Sequence, residues 1–232
     1  MHERNIAHRC ALVCLYKRTV IKSLILRDCT ANNIMLDPSE MYPKGFHPVQ
    51  INRSRDFRSR AKRFTRTARP TRYYLIDFGL SRRYSSRTAL DEPLRGGDKS
   101  APEHLHGRLC NPFHTDIYYL GNLVRERFIK VIIHLQPWVG YEAYAILQVY
   151  NGFEFMLDLV DEMTKENPVD RPTIEEVITM FSSIRDSLSE YKLRSLIMAK
   201  KDPRIITTYR YARQVVRTVE YLILQKAAIP YA

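Results

Sequence analysis

Arg27-Asp28-Cys29-Thr30-Ala31-Asn32-Asn33-Ile34-Met35-Leu36-Asp37 runs from a charged pair through two amides into a short apolar stretch that stops at Asp37-Pro38. A second run, Arg72-Tyr73-Tyr74-Leu75-Ile76-Asp77, is aromatic and branched and leads directly into Phe78-Gly79. Both read as short strands. Asp28 and Asn33 stand ahead of the first strand, and Asp77 closes the second. Carboxylate and amide oxygens of this kind hold Mg²⁺ against phosphates, while glycine at 79 lets the chain turn sharply.

Outward from this pair the pattern changes. Downstream of residue 100 the periodicity predicts helices. Ile117, Leu120, Leu123 and Val124 share one face of a helix from Asp116 to Phe128. Phe155, Met156, Leu159, Val160 and Met163 form another face, stopped by Asn167-Pro168. Thr173-Ile174-Glu175-Glu176 is a capping box, followed by Val177, Ile178, Phe181 and Ile184 along one side. Residues 189–199 and 208–226 read as helical too. The expected fold class is therefore mainly α, with a short two-stranded β element.

Of 232 residues, 45% are apolar and 27% charged, which is globular and excludes a disordered chain. The net charge is +12. Between Arg53 and Arg72 stand nine cations against one acid, Asp56, so this window holds most of the excess. It lacks the apolar repeat of a core helix, and the long stretch 38–72 reads as a solvated basic insertion between the two strands. A docking surface for phosphate, nucleic acid or an acidic protein is the alternative. Four cysteines without a signal peptide point to reduced thiols. Cys10 and Cys14 do not form a C-x-x-C clip, and with His2 and His8 they read as ordinary residues rather than a metal site. The apolar stretch 10–26 carries Lys17, Arg18 and Lys22 and is too short and charged to span a bilayer. An intracellular, cytoplasmic protein without membrane attachment is expected.

Taken in order, Arg27-Asp28 with Asn33, Asp77-Phe78-Gly79, Ala101-Pro102-Glu103, Asp116-Ile-Tyr-Tyr-Leu-Gly121 and Asp170-Arg171-Pro172 resemble the carboxy-terminal lobe of a eukaryotic-type protein kinase. The Met41-Tyr-Pro, Phe46-His-Pro and Arg95-Gly-Gly-Asp-Lys-Ser100 segments narrow the resemblance to kinase-like proteins of mushroom-forming fungi. The resemblance implies ATP and Mg as cofactors and a protein substrate or partner. It implies that Asp28 orients the accepting hydroxyl and that Asn33 and Asp77 bind magnesium, with Phe78 and Gly79 completing the nucleotide motif. Arg27 (or Arg9) would hold the activation segment. Asp116 would brace the catalytic-loop backbone, and Glu103 would pair with Arg171 as a structural tie.

The chain also departs from that family. The eight glycines contain no G-x-G-x-x-G, and 27 residues ahead of Asp28 leave no room for the family's amino-terminal lobe. Thr30 stands where serine/threonine kinases carry lysine, and Gly96 where threonine is usual. Excising residues 10–27 joins His8-Arg9 to Asp28, a fuller match to the family's loop. The expected organisation is a truncated lead-in over 1–27 with an insertion at 10–27, a kinase-like lobe over 28–189, and a helical extension over 190–232. The expected function is a protein kinase-like fragment, inactive alone. A pseudokinase or scaffold, binding partners through its helical lobe and basic loop, is the alternative.

Overall fold

The computed structural model describes residues 24–26, 29–65, 68–69, 71–93, 98–107, 109–135, 143–148, 150–195, 198–199 and 203–228. It is mainly helical. Leu24–Ile25 (β1) comes first, then Ile34–Leu36 (β2), which pairs antiparallel with Tyr73–Leu75 (β3) in the register Ile34↔Leu75, Met35↔Tyr74 and Leu36↔Tyr73. Backbone bonds lengthen this ladder at both ends, from Ile76 N to Asn33 O and from Asp37 N to Arg72 O, each 2.9 Å. The β1 strand pairs with Arg82–Arg83 (β4). The two strands expected from sequence are thus present and adjacent.

The core is helical. A four-residue turn, Glu103–His106 (α1), precedes Pro112–Val124 (α2). Asn111 caps α2 by accepting from Phe113 N, and Pro112 occupies the first turn, where no amide is needed. The buried residues Ile117, Tyr118, Leu120 and Leu123 of α2 pack with Leu159, Val160 and Met163 of Leu157–Met163 (α3) and with Val177 and Phe181 of Ile174–Ser187 (α4). Gly121 lets α2 and α3 approach closely: a Cβ there would lie 2.7 Å from Met163 Cβ and 2.8 Å from Thr164 Cγ2. Three further elements follow, Glu190–Arg194 (α5), Met198–Ala199 (pairing with Tyr150–Asn151) and the long Arg204–Ile223 helix (α6).

Several sequence expectations are corrected. The helix expected from Asp116 starts earlier, at Pro112, and passes after Val124 into a wider π turn over Arg125–Ile129. The all-helical reading beyond residue 100 missed a hairpin, Lys130–Leu135 against Ala143–Gln148. These are six-residue apolar runs, too short for periodicity to separate strand from helix. Segment 189–199 is helical only to Arg194, because Ser195 is extended and the following chain joins a strand pair. The last helix begins at 204 and ends at 223 rather than spanning 208–226. Of the suspected insertion at 10–27, residues 10–23 and 27 lie outside the described residues, but its end has a place. β1 is paired, and Leu26 packs against the core. The basic segment is no loose excursion. Residues 41–64 are cross-linked by backbone bonds, among them His47 N to Arg53 O, Ala61 N to Asn52 O and Phe64 N to Met41 O, all 2.9 Å.

No helix among the described residues is long and apolar enough to cross a membrane.

Candidate functional site

Leu26 immediately precedes Arg27-Asp28, and it is held from two sides. Its amide donates to Asp116 Oδ2 at 2.6 Å, and its carbonyl accepts from Ser81 Oγ at 3.2 Å. Asp116 therefore reaches from the buried helix α2 to a main-chain hydrogen on the segment leading to position 28. Arg27 and Asp28 themselves lie outside the described residues, as does Gly96. The chain resumes at the buried Cys29, and Asn33, also buried, closes a tight turn by donating its amide to Thr30 O at 3.1 Å.

Asn33 and Asp77 leave the same end of the β2–β3 ladder, since Ile76 bonds directly across to Asn33. Asp77 has φ 59°, a left-handed conformation that costs energy for any residue but glycine, asparagine or aspartate. Its Oδ1 accepts from Gly79 N at 3.3 Å, and a Cβ at 79 would stand 3.2 Å from that oxygen. Glycine thus leaves room for the carboxylate to fold back over the turn. Ser81 N then bonds Phe78 O at 3.0 Å. Phe78 is half-exposed and not part of the core.

The chain beyond Asp77 is tied down at several points. Asp91 and Cys110 exchange both backbone bonds at 2.9 Å, and Tyr84 donates its hydroxyl to the Asp91 carboxylate. Arg87 forms a two-pronged pair with Glu175 on α4, at 2.6 and 2.9 Å, while Asn111 donates to Arg87 O at 2.8 Å. Tyr118 OH donates to Ser100 O at 3.0 Å, and Asn122 Nδ2 reaches Asp98 Oδ2 at 2.8 Å. Spacing alone gave no sign of Ser81, Asn122 or Glu175 as anchors, because each acts on a backbone or side chain far away in sequence.

Glu103 and Arg171 meet in the core. The guanidinium donates to Glu103 Oε1 at 2.6 Å and Oε2 at 3.0 Å, and its side chain is 0% exposed. Its other donors reach His114 O, Lys165 O and Glu166 O at 3.1, 2.7 and 3.1 Å, so all five N–H groups are bonded. The group also lies 4.8 Å from the centre of the Tyr118 ring. Burial pushes the Glu103 carboxyl upward, but Arg171, the backbone and Thr115 outweigh it and hold the pKa below the usual glutamate range. Next to this pair, burial and the charges of Asp98, Asp116 and Glu103 push the Tyr119 phenol well above its ordinary value. It stays protonated and shares a 2.5 Å hydrogen bond with His104 Nε2.

Among the described residues, no three or more His, Cys, Asp or Glu gather into a cation cage. Asn33 and Asp77 place one amide and one carboxylate side chain at a strand end. That set suits Mg²⁺, which keeps water and takes substrate phosphates rather than an all-protein shell. No known protein family and no curated protein matches the sequence of this chain.

Proposed function

We propose that this chain is the carboxy-terminal, substrate-side lobe of a protein kinase-like phosphotransferase, whose parent binds MgATP and phosphorylates protein hydroxyls. The observation that carries the reading is that Asn33 and the left-handed Asp77 leave one end of the β2–β3 ladder, while Ser81, four residues past Asp77, holds Leu26 two residues ahead of Asp28. Asp28 orients the accepting hydroxyl, and Asn33 and Asp77 hold the metal. Magnesium, when bound, neutralises phosphate charge as the phosphoryl group moves. The Glu103–Arg171 pair and the Asp116–Leu26 bond are supports, since neither faces the reacting atoms.

A second reading, a pseudokinase or scaffold, is favoured by Thr30 in place of a cation. A missing donor at the transferring phosphate costs roughly 3 kcal/mol of transition-state stabilisation. We therefore expect the purified chain to show no Mg²⁺- and ATP-dependent phosphorylation of generic protein substrates. Titration with a fluorescent ATP analogue, with and without Mg²⁺, separates the two readings. Mg²⁺-dependent binding lost in Asp77→Asn supports the phosphotransferase ancestry of the site, and absence of binding supports the scaffold. Robust turnover abolished by Asp77→Asn would overturn the expectation of inactivity.

A further inference from the structure

Helix α6, Arg204–Ile223, sits on the molecule with its polar side inward. Thr207, Gln214, Thr218 and Tyr221 face the body. Gln214 Nε2 donates to Arg194 O at 2.8 Å, and the Tyr221 hydroxyl meets Thr65 Oγ1 at 2.5 Å. The opposite side is apolar and open. Ile205 is 85% exposed and Ile223 76%, and Tyr209, Ala212, Val216 and Val219 between them are exposed as well. These six residues follow one another at steps of 4, 3, 4, 3 and 4, the spacing of a coiled-coil seam. A row of this length normally marks an interaction face.

We propose that α6 pairs antiparallel with α6 of a second copy of this chain, making a two-fold homodimer. Full overlap sets Ile205 against Ile223, Tyr209 against Val219, and Ala212 against Val216 of the other copy. Large thus meets small, whereas a parallel pair sets Ala212 on Ala212 and leaves a gap. Charge selects the same arrangement. Arg213 and Glu220 flank the seam on one side, both are exposed, and neither forms an ion pair among the described residues. In the antiparallel register Arg213 of each copy lies about five residues, roughly 7–8 Å, along the axis from Glu220 of the other. Side chains lean toward their own helix N-terminus, so these two lean together while the two Arg213 side chains lean apart. The pair forms twice by symmetry. A parallel pair instead sets Val215 against Glu220 and gains no such contact. The described residues that α6 bonds, Arg194 and Thr65, lie behind its polar side, away from the seam. This inference does not rest on the phosphotransferase reading.

Sedimentation velocity on the full chain in reducing buffer, over a range of concentrations, tests it. Twice the mass of a single chain is expected at high concentration. Val216→Arg should raise the dimer dissociation constant at least tenfold with unchanged far-ultraviolet circular dichroism, because Val216 is exposed in the single chain. Arg213→Glu and Glu220→Arg should each weaken the dimer several-fold, and the double variant should restore it. A monomer at every concentration, a dimer indifferent to Val216→Arg, or failure of the double variant to recover would overturn the proposal. So would a chain that stays monomeric but binds phosphatidylserine-containing vesicles through this stripe.

Discussion

Arg171 is a buried cation with every donor occupied, and its worth lies in what happens when one partner is lost. Replacing Glu103 with glutamine strands the guanidinium, and removing one member of a buried pair costs about 3–5 kcal/mol. Urea unfolding of Glu103→Gln measures that loss. The pair also gives stability a pH dependence. Glu103 is held below its ordinary pKa, so its contribution is complete above the unfolded value of about 4.3 and is lost as pH falls through the folded value. Melting temperatures from pH 6 down to pH 3 should fall less steeply in Glu103→Gln than in the parent. Gly121 makes a different demand: alanine there collides with Met163 and Thr164, and overpacking of this kind costs about 1–3 kcal/mol. Gly121→Ala should lower the melting temperature, although alanine is the better helix former. The Glu103–Arg171 tie was legible in the sequence because two short motifs flagged its ends. The carbonyls of His114, Lys165 and Glu166 that complete it were not, since every residue offers a carbonyl and only the fold selects among them.

At the scale of elements, the cap of α4 was legible because its chemistry is self-contained, whereas the Asn111-Pro112 start of α2 was not read. The Thr173 hydroxyl accepts from Glu176 N at 3.3 Å and the Glu176 carboxylate accepts from Thr173 N at 2.7 Å, the reciprocal cap implied by the spacing. Thr173→Ala should cost about 1 kcal/mol and speed amide exchange in the first turn of α4, which hydrogen-exchange measurements can resolve. Helices α2, α3 and α4 were visible through their apolar faces. The 130–148 hairpin was hidden because its six-residue apolar runs are too short for periodicity to separate strand from helix, although Pro137 and Gly140 stand between them. Helix α6 was visible as a helix, yet nothing in its sequence foretold that its apolar side turns outward. That orientation is set by Gln214 and Tyr221 bonding to distant residues.

Across the whole molecule, the candidate site depends on segments that meet only after folding. Leu26, Asn33 and Asp77 come from three stretches, and the helix carrying Asp116 lies some ninety positions beyond the first of them. The order of short motifs revealed Asn33, Asp77 and Asp116, while the clamp by Ser81 on Leu26 and the left-handed turn at Asp77 had no signature in the chain. The bond between Asp116 and Leu26 has a further consequence. The carboxylate reads a main-chain hydrogen, which every amino acid except proline supplies. Position 26 is therefore free to drift as far as this contact is concerned. The Leu26 side chain answers to the core it packs against and not to this bond, and the burden of preserving the bond falls on a residue far downstream.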